Sequence, residues 1–379
     1  MAGSGHDRVT RRAALGLLGG SVAALGLGEA HADLVPEILG AAQDASGNFR
    51  IGLIDAAFGE AEGAPAPLRL HALCPRSDGR ECVAVARRPG DLALVLDGAG
   101  SRVRATFRAS EGRRFSGHGV YRDDGRTFLS TEIDVATGDG VIVIRDVAGG
   151  YAVRGEFRSA GVGPHELVST GRLIAVANGA KEPKGDPGIA ALDGARALSN
   201  LALIDPVTGV VENVAELGGG GLETLSLRHL ATLPEGGVLV AAQDREASVR
   251  DRPLVARLDG GRLRPFDEAL EATPLFAGYV GSLAVDRSGR FAAASSPKGG
   301  VVAAFDVVTG KVIGSVAAPD VCGLAPAREP AGFVATSGLG DVLRIAVDVD
   351  GCAIVARRAG ALRWDNHLAA LAPPTSGER

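Results

Sequence analysis

From residue 71 onward the chain repeats one pattern: an apolar strand, a glycine-containing turn, a second apolar strand and a polar loop. The units are HALCPRSDGRECVAVARRPG from His71, HGVYRDDGRTFLSTEID from His118, HELVSTGRLIAVANGA from His165, HLATLPEGGVLVAAQD from His229, SLAVDRSGRFAAASSPKGG from Ser282 and CGLAPAREPAGFVATSG from Cys322. A seventh start, HLAAL from His367, has no second strand after it. Third strands follow, as in GVIVIRDV, NLALIDPVTG, VVAAFDVVTG and DVLRIAVDVDG, with fainter fourth strands such as YAVRGEFRS and KVIGSVAA. The starts lie 47, 47, 64, 53, 40 and 45 residues apart. Four short antiparallel strands every ~40–50 residues are the mark of propeller blades. The pattern therefore predicts an all-β, seven-bladed β-propeller. The strand at 364–371 becomes the innermost strand of a closing blade, and PEILGAAQD, NFRIGLIDA and PLRLHA supply its other three. Pairing the two chain ends in this way removes sheet edges that would otherwise invite aggregation.

Composition fits short strands and many turns, with 55 glycines and only 4% aromatic residues. The N-terminus adds a destination. Arg11 and Arg12 precede a glycine-rich apolar run that ends in Ala30-His31-Ala32. This reads as a twin-arginine signal peptide over 1–32, cleaved after Ala32, for export of a folded protein to the periplasm. The run is too short for a stable membrane span, and no second one follows. Residues 33–379 then form one propeller domain, with a Pro/Gly/Lys-containing loop insertion at 179–199 that accounts for the longest gap. The formal net charge is −5 and no basic block rises above it, which argues against nucleic acid as a partner. Four cysteines enter an oxidising compartment. Cys74 and Cys82 flank the turn SDGR symmetrically and would face each other across the hairpin, with Cα atoms about 4.5–5.5 Å apart, within disulfide reach. Bridged and free states both stay open.

All five histidines after residue 32 open innermost strands: His71, His118, His165, His229 and His367. Innermost strands line a propeller's channel, so five consecutive blades would present imidazole at one mouth, with Ser282 (near Tyr279) and Cys322 completing the circle. Loops between second and third strands would reach the same face with Arg87, Arg88, Glu132, Asn178 and Gln243. Such convergence of polar and titratable groups marks the default site. Several of these histidines, with Glu166, Glu132 or Asp365, form a ligand set for zinc, copper or iron. Only neutral imidazole ligates, so affinity would fall below pH ~6.5. Haem is a further option, without a CxxCH for covalent attachment. An anion against Arg87, Arg88 and Arg228 is another. Trp364, Asp365 and Asn366 sit beside His367 and are included as ligand-binding candidates. Each position also has a structural reading: polar residues at strand starts satisfy backbone groups of neighbouring blades, Trp364 packs, and Cys322 is a small buried residue. Hydrolase and nucleotide-binding signatures such as GxSxG, HExxH and the Walker sequence are absent. Three function classes remain: a metal- or haem-binding protein, a metal-dependent hydrolase or oxidoreductase with Glu132 or Glu166 as base, and a protein–protein scaffold.

Eight short motifs occur in a recognisable order: ARRPG (86–90), HGVYRDDGR (118–126), GVGPHEL (161–167), VANG (176–179), SLRHL (226–230), GYVGSLAVD (278–286), DVCGLAP (320–326) and WDNHL (364–368). Together they resemble the DUF1513 family of exported bacterial proteins. That resemblance implies a YVTN/WD40-like seven-bladed propeller and no established biochemical activity. It also implies an iron-uptake setting, because relatives are often encoded near imelysin-like and dihaem-peroxidase-like periplasmic proteins. Two stretches depart from the family pattern. AAQDREASVRDRP lacks the aromatic residue and glycine that relatives carry after the glutamine, and the 179–199 insertion lacks a histidine they often have.

Overall fold

The computed structural model describes residues 35–180, 198–219, 221–244 and 252–371. The expected leader at 1–32 lies outside the described residues, as does most of the 179–199 insertion. The described residues from Val35 onward form seven four-stranded antiparallel sheets. Their innermost strands are Leu70–Pro75, Arg113–Tyr121, Pro164–Thr170, Ser226–Thr232, Ser282–Val285, Val321–Pro326 and Arg363–Ala370. Each touches the next, and the seventh touches the first, so the sheets close a ring: a seven-bladed propeller. We number the blades one to seven in that order.

The blades adhere face to face. Leu94, Leu96 and Cys82 of blade one pack on Leu39 and Ile51 of blade seven, while Val83 and Val95 pack the other way, on Phe115 and Phe128 of blade two. A central strand thus buries both faces and reads as a continuous apolar run, as in CVAVA and VIVI, rather than an alternating one. Outer strands are half solvated and charged, as in VRATFR and VENVAE.

Closure follows the expected principle with one correction. Blade seven combines Arg363–Ala370 with Pro36–Gln43, Phe49–Asp55 and Glu60–Pro65. The outermost strand is therefore EAEGAP, not PLRLHA, whose second half belongs to the innermost strand of blade one. An outer edge strand carries too few apolar residues to announce itself by pattern. The cysteine hairpin needs a second correction. Cys74 pairs with Val83, and Cys82 with Pro75. The register sits one residue from symmetry, which turns the two thiols to opposite faces of the sheet. Cys74 enters the core toward blade two and Cys82 the core toward blade seven, and all four cysteines are free.

Candidate functional site

A shared irregularity builds the channel mouth. In six blades the register between the innermost strand and its neighbour shifts near the mouth: between Leu70 and Leu73, Phe115 and Gly119, Pro164 and Leu167, Leu227 and His229, Val321 and Gly323, and opposite Trp364 and Leu368. A bulge of this kind frees residues from the ladder and re-aims their side chains. His71, His118, His165 and His367 all lie inside these shifts. Blade five, with Ser282, runs in unbroken register. The histidines do not begin their strands as expected: His118 is the sixth residue of Arg113–Tyr121 and His367 the fifth of Arg363–Ala370.

The five imidazoles meet across the channel. His71 packs edge-on against His118 and His367, with ring centroids 4.8 and 4.6 Å apart. His118 lies 4.6 Å from His165, and His229 lies 5.1 Å from His165 and 4.9 Å from His367. Gly117 permits the approach. Its φ is +105°, and a Cβ there would sit 2.5 Å from Cδ2 of His71. Ligand atoms of His71, His118, His165 and His367 lie within 4.8 Å of one another, and those of His118, Glu166 and His229 form a second such group. Metal–nitrogen bonds of ~2.0–2.1 Å put opposite ligands at most ~4.2 Å apart. Tetrahedral ligands lie closer still, about 3.4 Å apart, so the first group has to draw in by up to about 1.4 Å around an ion.

Charge is arranged to keep the rings neutral. Burial, reinforced by neighbouring imidazoles and the Arg87 or Arg228 guanidinium, holds His71, His118 and His165 well below the ordinary value. Burial likewise lowers His229 to about 3 and His367 to about 4. Glu166 moves the other way, pushed up to about 7 by burial. Its carboxylate lies 3.4 Å from His229 Nδ1 and 3.9 Å from His118 Nδ1, and it accepts the Leu230 backbone N–H at 3.0 Å. Several ring nitrogens have no hydrogen-bond partner, including His71 Nδ1, His118 Nε2 and His367 Nε2. Buried polar atoms left unpaired are costly, and a bound ion would satisfy them.

Among the described residues, two adjoining cavities share lining at the mouth. One, of about 230 Å³, is lined by Arg87, Arg88, Arg228, Ser116, Tyr279 and Asn366 together with His71, His165 and His229. The other, of about 400 Å³, shares Arg87, Tyr279 and Asn366 and reaches Cys322, Trp364 and Asp365. Asp365 accepts from both Arg69 and Arg87, the latter at 3.4 Å. Arg228 lies 3.5 Å from His165 Nδ1.

Other candidates stand elsewhere. Glu132 lies inside the second strand of blade two, in a buried ion pair with Arg145 at 2.6 Å, and accepts from Ser130 at 2.7 Å. Asn178 is satisfied by Ser159 and Asn200. Trp364 is 4% exposed, covers Gly40 and Gly52, and donates its Nε1–H to Glu60 at 3.1 Å. Burial pushes the Cys322 thiol up to about 12. Thr131 and Ser295 brace neighbouring blades through the carbonyls of His165 and Cys322. Ser116 and Arg69 escaped sequence reasoning. Both lie two residues before a ring histidine, as Asp365 does, so aligning the repeats on histidine brings out that column.

No curated protein matches the chain. A family model described as "Protein of unknown function (DUF1513)" matches residues 64–371, and the protein belongs to that family.

Proposed function

We propose that this protein is an exported, periplasmic propeller that binds a transition-metal ion at its channel mouth, on the imidazoles of His71, His118, His165 and His367. The observation that carries this reading is the meeting of four ligand atoms from four blades within 4.8 Å. A set of nitrogen ligands suits zinc, copper, iron or nickel and not the oxygen-seeking calcium or magnesium. The depressed basicity of the rings favours the neutral, ligating form. Haem fits less well, because the imidazoles pack on one another and leave no slot for a macrocycle between them. The iron-uptake setting implied by the family resemblance makes iron the first ion to try, with imelysin-like and dihaem-peroxidase-like proteins as partners.

The test is elemental analysis of untagged protein. About one equivalent of metal per chain is expected, with affinity falling at least tenfold in His118→Ala, since a ligand set missing one member binds weakly. Metal-free protein that takes up no iron, copper or zinc near neutral pH sinks the reading and leaves a scaffold. One observation favours a second reading, a metal-dependent hydrolase or oxidoreductase. Glu166, with a pKa raised to about 7 beside His118 and His229, has the properties of a general base. Turnover of lactones or peroxide by metal-loaded protein, abolished in Glu166→Gln, would establish it.

A further inference from the structure

The histidine ring offers more donors than one ion uses. Beside the four-histidine group, ligand atoms of His118, Glu166 and His229 lie within 4.8 Å of one another. They come from the innermost strands of three consecutive blades, two, three and four. Adjacent strand residues ordinarily point to opposite faces. The register shift between Pro164 and Leu167 breaks that alternation, so His165 and Glu166, neighbours in sequence, both reach the His118 and His229 rings.

The spacing suits an ion better than a hydrogen bond. Glu166 lies 3.4 Å from His229 Nδ1, yet neither nitrogen of that ring has a hydrogen-bond partner, in a residue only 2% exposed. Tetrahedral ligands around one ion lie about 3.4 Å apart, so this pair already has ligand spacing. The 3.9 Å from Glu166 to His118 Nδ1 has to shorten by roughly 0.5 Å. Glu166 also brings the negative charge that a set of four imidazoles lacks. Two imidazoles and one carboxylate form the ligand set of catalytic zinc and of non-haem iron(II), in which water or substrate fills the remaining positions.

We infer that His118, Glu166 and His229 bind a second transition-metal ion, next to the four-histidine group and sharing His118 with it. Glu166 faces Nδ1 of His118, which leaves the buried, unpartnered Nε2 for the first ion. When both sites fill, the His118 N–H bond breaks, its proton passes to solvent, and each ring nitrogen bonds one ion. Three protein ligands hold an ion less tightly than four. Purified protein therefore keeps the first equivalent, and the second enters on titration.

Zinc is the probe. Untagged protein is dialysed against rising concentrations of buffered zinc, and bound zinc is counted by elemental analysis. Wild-type protein is expected to rise from about one equivalent to about two. Glu166→Gln, which keeps an oxygen for the Leu230 N–H, and His229→Ala should each stop at one. His71→Ala, outside the second group, should lose the tight equivalent and keep the weaker one. Circular dichroism confirms the fold of each variant before its zinc is counted. Saturation of the wild type at one equivalent that Glu166→Gln and His229→Ala retain overturns the second site and leaves the four-histidine reading standing. A second equivalent that survives both substitutions overturns it too. One equivalent removed by Glu166→Gln and His229→Ala but kept in His71→Ala supports an ion here and sinks the four-histidine reading. Absence of zinc uptake overturns both.

Discussion

A histidine ring is a residue-scale compromise between packing and protonation. Five imidazoles share one buried space, and each ring that took a proton would meet neighbours and guanidinium groups of like charge. The unfolded chain protonates its histidines near 6.5, whereas the folded ring resists until about 4 at His367 and about 3 at His229. Between those values the unfolded state binds more protons, so stability present above pH 6.5 is lost as the pH falls toward 4. Glu166 has the opposite sign. Raised from 4.5 to about 7, it contributes stability below pH 4.5 that is lost as pH rises through 7. Five groups outweigh one, so metal-free protein should melt highest near neutrality and lose stability steeply from pH 6.5 to 4. Calorimetry across that window checks it, and a flat melting temperature would contradict a neutral, close-packed ring. The same shifts correct the expectation drawn from ordinary imidazole. Metal should stay bound below pH 6.5 and leave only nearer pH 4.

At the scale of elements, the decisive feature was the least legible. Apolar runs, turn glycines and spacing locate the strands from His71 onward, because apolar runs and Gly-containing turns are local signals. A bulge has no such signal. Phe115, Ser116 and Gly117 precede His118 without a strand-like alternation, yet the strand starts at Arg113 and the bulge lies within it. The same one-residue sensitivity defeated the cysteine pairing, since register is set by neighbours across the sheet and not by symmetry about a turn. Glu132 reads as a loop residue by pattern for a related reason, whereas its strand runs on to Asp134. Gly117 offers a direct test of the bulge. Its φ of +105° suits glycine, and an added Cβ would press on the His71 ring. Gly117→Ala should cost about 1–3 kcal/mol through backbone strain. It should also weaken metal binding at least tenfold by displacing His71. Denaturant unfolding and metal titration measure the two effects separately. Unchanged metal affinity would show that the bulge does not position this ligand.

For the whole molecule, closure was readable and its latch was not. The lone strand at the C-terminal end pointed to a ring completed by N-terminal strands, because an unpaired innermost strand needs a sheet. What the pattern did not reveal is how one side chain secures that blade. Trp364 lies over Gly40 and Gly52, where added Cβ atoms would come within 2.5–2.9 Å of its ring, and bonds Glu60 in the outermost strand. It thereby spans the innermost, second and third strands and reaches the fourth, all four strands of the closing sheet. Its neighbours Asp365 and His367 face the mouth, so the latch and the site share one strand. Trp364→Ala removes a large buried ring and should cost about 3–5 kcal/mol. The loss should fall on closure first. Because Asp365 holds Arg69 and Arg87 across to blade one, loosening this strand should also weaken the mouth in the still-folded variant. Hydrogen exchange would locate the effect: faster exchange confined to Pro36–Gln43 and Arg363–Ala370 supports a latch. Uniform acceleration across all seven blades would instead make Trp364 one core residue among many.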